Sequence, residues 1–441
     1  MTSYWAAYAW LPNGCHGGVA FDIEDGRFAR VRVGIEPPAT AEILGGVTLP
    51  GLANGHSHAF HRVLRGRTHG VGGGSFWTWR EQMYEVAARL DPDSYLTLAR
   101  AVFAEMVQAG YTVVGEFHYL HHDQGGRPYA DPNAMGAALI QAATEAGIRL
   151  TLIDACYLSG GLAATGHLPL DSLQQRFADH DLDHWGARLS LLNDQDLVRI
   201  GAAVHSVRAV PAEFLSMIGE AAREWPLHVH LSEQPAENAA TQAFYGCTPT
   251  ELLDDHGLLS RRTTAVHATH LSDTDIKALG SSQTSACFCP TTERDLADGI
   301  GPARRLANAG SPLTLGSDQQ AVIDPFEELR GVELHERLAT GERARFTPAE
   351  LIKIASEAGY RSLGWTDGGR IADGALADFV VVRSDSMRTT GAHPDQIVYA
   401  ATGADIDHVV VAGRVIVRNG RHQLGSAAQL LAAALDQLGE A

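Results

Sequence analysis

Thr48-Leu-Pro-Gly-Leu-Ala-Asn-Gly-His56 is a short apolar run that ends on a histidine, and runs of this kind recur as far as residue 318. Tyr111-Thr-Val-Val-Gly-Glu-Phe117, Arg149-Leu-Thr-Leu-Ile-Asp154 and Ile200-Gly-Ala-Ala-Val-His205 have the same build. Leu227-His-Val-His-Leu231, Thr264-Ala-Val-His267, Thr284-Ser-Ala-Cys-Phe-Cys289 and Pro312-Leu-Thr-Leu-Gly-Ser-Asp318 bring the set to eight, and nearly every run ends on a polar or charged residue. Between them lie stretches with helix-start residues and helical apolar spacing, such as Asp91 to Ala109, Asp131 to Gly147 and Pro211 to Glu224. Eight alternating strand and helix units predict an α/β fold, a closed (β/α)8 TIM barrel.

The two ends have a different texture. Val19 to Ile23, Phe28 to Val33, Asp378 to Val382 and Val409 to Val417 are short and valine-rich, punctuated by Asp25-Gly26, Ala412-Gly413 and Asn419-Gly420. They predict a small β-sandwich domain formed by the N- and C-terminal segments. The expected division is 1–48 for its N-terminal part, 49–371 for the barrel, and 372–441 for the rest with a final helix capped by Ser426.

At 441 residues, 45% hydrophobic and 20% charged, the chain has the balance of a packed globular enzyme. A net charge of -18 repels nucleic acid and anionic membranes, so neither is an expected partner, and an anionic substrate needs local arginines. Met1 to Trp10 has no basic region or long apolar run, and no stretch is long enough for a bilayer span, so a cytoplasmic protein is expected. The five scattered cysteines argue against a disulfide framework. Cys287 and Cys289 read as small residues of a buried strand rather than as metal ligands.

Side chains at the C-terminal ends of barrel strands converge on one mouth, where catalysis is placed. His56 and His58 close the first run and share a strand face; His230 closes the fifth, His267 the sixth and Asp318 the eighth. In a chain with 21 histidines a lone H-x-H pair means little. A set spread over several strand ends, of histidines with a carboxylate, matches the N/O preference of zinc. His228 shares the parity of His230 and is the alternative ligand; His230 is preferred because Glu233 follows it by three residues.

Pro50-Gly-Leu-Ala-Asn-Gly-His56-Ser-His58, His230-x-x-Glu233, Val266-His267-Ala-Thr-His270 and Gly316-Ser-Asp318 together resemble the aminohydrolase branch of the amidohydrolase superfamily. Within that branch Ser57-His-Ala-Phe60, Phe76-Trp-Thr-Trp-Arg80, Glu116-Phe-His-Tyr119, His205-Ser-Val-Arg208 and Cys289-Pro-Thr-Thr-Glu293 are most similar to the formimidoylglutamate deiminases. The resemblance covers almost the whole chain. It implies a zinc hydrolase with His56, His58, His230 and Asp318 as ligands, and Glu233 and His267, with Asp318, as catalytic acid/base groups. It places Arg80, Tyr119, His205 and Arg208 at a small substrate with two carboxylates, for which arginine forks are suited. His61 stands at the substrate too, where relatives carry glutamine.

One zinc per chain is expected, because the lysine that bridges two metals on the fourth strand of binuclear relatives has no counterpart: the only lysines are Lys277 and Lys353. The implied reaction is hydrolysis of N-formimino-L-glutamate to N-formyl-L-glutamate and ammonia, with a homodimer as the expected assembly. The alternatives are an aminohydrolase of purines, pyrimidines or triazines, and, from another class, a noncatalytic scaffold on the same barrel.

Overall fold

In a computed structural model, residues 2–69 and 76–439 are described. Eight parallel strands form the barrel in chain order: Leu52–Ser57, Tyr111–His118, Arg149–Cys156, Val198–Val204, Leu227–Leu231, Thr263–His267, Ser285–Phe288 and Leu313–Leu315. The ladder closes between last and first through a parallel bridge at Ser57 and Asp318. There the His58 N–H donates to the Asp318 carbonyl and the Asp318 N–H to the His56 carbonyl, both at 3.0 Å. The eighth strand is short, so Asp318 lies three residues beyond it rather than at its end. His205 likewise follows a strand that stops at Val204.

The helices start and stop for local reasons. Pro92–Ala109 is capped by Asp91, whose side chain accepts from the Ser94 N–H while the Ser94 hydroxyl accepts from the Asp91 N–H, and it ends on left-handed Gly110. Ala134–Ala146 ends on left-handed Gly147, and Ala212–Ala221 is shorter at both ends than its sequence pattern. Ser426 caps the final helix, Ala427–Gln437. No helix among the described residues is long and apolar enough to cross a membrane.

The terminal segments pair in one eight-stranded ladder, in the order Arg421–His422, Arg414–Arg418, Ile406–Val411, Phe379–Val382, Glu42–Pro50, Thr2–Leu11, Gly14–Glu24 and Arg27–Arg32. The apolar run at 409–417 is two strands, split at Ala412-Gly413, where both residues have positive φ as a tight hairpin turn requires. Phe28 and Phe379 are four strands apart, about 19 Å in a flat sheet. Their rings are 6.3 Å apart, so the sheet curls over a core of Tyr4, Phe21, Phe28 and Phe379. The outermost strand then reaches the 374–376 segment through the Phe28 N–H bond to the Ala375 carbonyl.

Pro50 ends the terminal sheet and Leu52 begins the barrel, so a single residue, Gly51, joins them. A Cβ there would lie 2.6 Å from both the Thr112 and Tyr360 hydroxyls. Beside it Asp378 gathers the Arg149 guanidinium at 2.6 and 3.1 Å, the Tyr360 hydroxyl at 2.7 Å and the Ala412 N–H at 2.6 Å. This buried cluster fastens the terminal sheet to the N-terminal face of the barrel. All five cysteines are unbridged, and Cys287 and Cys289 pack with Val266 in the barrel interior.

Candidate active site

His56 and His58 leave the first strand on one face, and both are buried. Their Nε2 atoms each lie 3.4 Å from Asp318 Oδ1, and His230 Nε2 is 3.2 Å from His56 Nε2. Ligands at zinc–nitrogen bond lengths in a tetrahedron are separated by about 3.3 Å. The His56–Asp318, His58–Asp318 and His56–His230 separations are therefore those that one small cation imposes.

The outward nitrogens settle which way the rings face. His58 Nδ1 is 2.9 Å from the Phe117 carbonyl and His230 Nδ1 is 2.8 Å from the His205 carbonyl, so each Nδ1–H is donated outward and each Nε2 lone pair points inward. Burial pushes the His56 pKa down to about 3 and lowers those of His58 and His230, which keeps the imidazoles neutral. Burial alone would raise Asp318, but the close approach of His56 Nε2 and the charge of His267 outweigh it and hold the carboxyl below its usual range. Neutral imidazoles with inward lone pairs beside an ionised carboxylate form a donor set suited to zinc. A single proton can bridge only one of these close pairs, whereas a cation satisfies all four donors at once.

His228, the alternative on the fifth strand, is not brought to this cluster. It lies lower in the barrel, where its Nε2 meets the Ser362 carbonyl at 3.1 Å. His270 is also diverted, to the Asp298 carbonyl at 2.8 Å.

His267 stands between three carboxylates. Its Nε2 is 3.7 Å from Glu233 Oε1 and 3.8 Å from Asp318 Oδ2, and its Nδ1 is 3.6 Å from Glu293 Oε1. Burial by itself would lower the His267 pKa, but the charge of Glu233 and the nearby carboxylates of Glu293 and Asp318 lift it well above the usual histidine range. Burial also raises Glu233, against the pull of His267 and Arg208. Both groups are thus shifted toward holding a proton, side by side at the mouth. Ser232, His267 and Asp318 all adopt positive φ, at about 1–3 kcal/mol each, so backbone strain is concentrated around the reacting groups.

The cluster opens into a cavity of about 300 Å³. His61, Arg80, Tyr119, His205 and Arg208 all line it, together with His58, His230, Asp318, Glu233 and His267. Tyr119 OH is 2.9 Å from His61 Nε2, which ties these two pocket residues to each other. Arg80 lies over the rings of Trp77 and Tyr84, at 4.8 and 5.4 Å, and has no carboxylate partner among the described residues. Arg208 is placed differently: its Nε is 2.8 Å from Glu237 Oε2 and its Nη2 donates to Glu233 Oε2 at 3.4 Å.

Glu237 and the orienting role of Glu293 were not identified from sequence. Glu293 ends a motif already noted, and Glu237 lies one helical turn after Glu233, on the helix Pro235–Tyr245. That spacing was the available signal.

The amidohydrolase family matches residues 47–416. The formimidoylglutamate deiminase of Pseudomonas aeruginosa is 35% identical, with 96% of each chain aligned. The 5'-deoxyadenosine deaminase of Methanothermobacter thermautotrophicus is 27% identical over 90% of this chain and 89% of its own. Among solved structures, an amidohydrolase from Brucella melitensis superposes with a TM-score of 0.92 at 32% identity, covering 99% of this chain and 100% of that one. The family match extends over most of the chain and takes in every residue of the mouth described above, so the chain belongs to the amidohydrolase family.

Proposed function

We propose that the protein is a single-zinc hydrolase converting N-formimino-L-glutamate and water to N-formyl-L-glutamate and ammonia. The observation that carries this reading is the presence of two arginines, Arg80 and Arg208, in the same cavity as Glu233 and His267. An acyclic substrate with two carboxylates needs two such cations in a protein of charge -18. The 35% identity to the formimidoylglutamate deiminase of Pseudomonas aeruginosa supports it.

His56, His58, His230 and Asp318 would hold the zinc, which supplies Lewis-acid activation of water at neutral pH. Asp318, ionised at that position, accepts the water proton, and His267, whose raised pKa favours the imidazolium, stands beside it and can pass a proton onward. Glu233, whose raised pKa favours the protonated form, gives its proton to the departing nitrogen, which also receives the proton first taken from water, so ammonia leaves; the proton remaining on the attacking oxygen returns to Glu233 as the carbonyl forms. Arg208 and Arg80 bind the carboxylates, with Tyr119, His205 and His61 along the wall between them and the metal residues.

A second reading has its own support. Trp77, Trp79, Tyr84, Tyr157 and Phe177 also line the cavity, and such faces suit a purine, as does the likeness to a 5'-deoxyadenosine deaminase. Incubating zinc-replete protein with N-formimino-L-glutamate and identifying the products by mass decides the matter. N-formyl-L-glutamate with equimolar ammonia supports the first reading; no turnover of it, with deamination of a nucleoside, supports the second.

A further inference from the structure

The barrel seam beside the metal residues is weakly paired by backbone, since its eighth strand is only Leu313–Leu315 and meets the first strand's end through one bridge. A chain of buried side chains runs along the same seam. Asn54 Nδ2 donates to Ser317 Oγ at 2.6 Å, and the Ser317 hydroxyl donates to Gln320 Oε1 at 2.7 Å. Gln320 Nε2 donates to Ser57 Oγ at 2.9 Å, and the Ser57 hydroxyl donates to Glu116 Oε2 at 2.6 Å.

Both ends of the chain are anchored. Asn54 Oδ1 accepts from the Ser317 N–H at 3.0 Å, and Glu116 Oε1 accepts from the Ala59 N–H at 2.6 Å. Every link donates in the same direction, from Asn54 toward Glu116, so no donor opposes a donor and no acceptor an acceptor. A fully satisfied, unidirectional network in a dry interior is stiff, because each bond lost leaves a buried group unpaired.

The links are the sequence neighbours of the metal residues. Ser57 separates His56 from His58, Ser317 precedes Asp318, and Gln320 follows it by two. Gln320 Nε2 also donates to the Asp318 carbonyl at 2.9 Å, the same oxygen that receives the His58 N–H. Gln320 itself is held at a φ of 63°, a conformation that its side-chain bonds help to maintain.

We propose that Gln320 and Ser57 are positioning residues for the metal: through the chain from Asn54 to Glu116 they set the separation of His56, His58 and Asp318 before any ion arrives. This rests on the metal reading above and is independent of the substrate. Gln320 meets the donor set only at the Asp318 carbonyl, yet it ties Ser57 at the end of the first strand to the segment that follows the eighth.

The test is zinc affinity by competition with a chromophoric chelator, on full-length apo protein that circular dichroism shows to be folded. Gln320→Met and Ser57→Ala are each expected to raise the zinc Kd about 10–100-fold, the usual effect of losing an outer-shell partner. Tyr360→Phe removes a buried hydrogen bond to Asp378 at the far end of the barrel and is expected to leave Kd unchanged, which separates positioning from general softening. If Gln320→Met does not fold, Ser57→Ala carries the same expectation. Tight zinc in the wild type with wild-type Kd in the folded variants overturns the inference alone. Absence of tight zinc in the wild type overturns the metal reading and the inference together.

Discussion

Asp318 meets His58 twice: its carbonyl accepts the His58 N–H at 3.0 Å, and its carboxylate Oδ1 lies 3.4 Å from His58 Nε2. The closure of the barrel and the assembly of the donor set are therefore one event in space. Replacing Asp318 by alanine keeps the backbone bond and removes the only carboxylate among the proposed ligands. Asp318→Ala is expected to fold and to lose zinc affinity by more than the roughly 10–100-fold that an outer-shell loss costs. Elemental analysis of wild type and variant checks this, with one zinc per chain expected in the wild type.

His267 and Glu233 face each other at 3.7 Å, outside the proposed ligand set. His267→Asn and Glu233→Gln are each expected to lower kcat by about two or more powers of ten, the scale of a lost general acid or base, with zinc content unchanged. Steady-state rates beside metal content separate this from metal loss. Near-normal turnover in either variant removes that residue from proton transfer.

The two pocket arginines are expected to differ. Losing either is expected to reduce kcat/KM for formiminoglutamate by about 2–5 kcal/mol, the scale of a truncated buried charge pair. Only Arg208→Met also leaves buried Glu237 without its partner, so it alone is expected to destabilise the fold, by about 3–5 kcal/mol. Arg80→Met is expected to unfold with the wild-type midpoint, since its contacts are ring faces near the pocket mouth. Kinetics and urea unfolding on the same preparations test both halves.

Asp378→Ala strips a buried carboxylate from Arg149, Tyr360 and the Ala412 N–H. The Arg149 charge is left uncompensated, at a cost of about 3–5 kcal/mol. The cluster lies at the barrel face opposite the mouth, so kcat and zinc content are expected to stay at wild-type values in the folded variant. Urea unfolding gives the first quantity and a standard assay the second.

Much of this architecture is legible in the chain because it is written locally. Strand ends with polar residues, Asp91 with Ser94, and the positive-φ pair Ala412-Gly413 each require only neighbours in sequence. The H-x-H parity of His56 and His58 is local too. The curl that brings Phe28 to Phe379 is not, because it depends on contacts between opposite ends of the chain. The choice of His230 over His228 rests in the sequence on Glu233 alone: both share one strand face, and their height in the barrel is what separates Ser362 from the donor cluster. Glu237 is missed because its partner Arg208 comes from a different strand end, and Gln320 because its bond to Ser57 crosses the closing seam. Polar contacts of this kind have no periodic signature.

The most direct test of the account is kcat/KM for N-formimino-L-glutamate and for 5'-deoxyadenosine on one zinc-replete preparation, followed by ammonia release. The pairing of Arg80 and Arg208 in one cavity with Glu233 and His267 predicts efficient turnover of the dicarboxylate, with the nucleoside disfavoured by at least the roughly 2–5 kcal/mol of a charge pair it cannot form. Equal or better efficiency on the nucleoside, or no ammonia from N-formimino-L-glutamate, would contradict it.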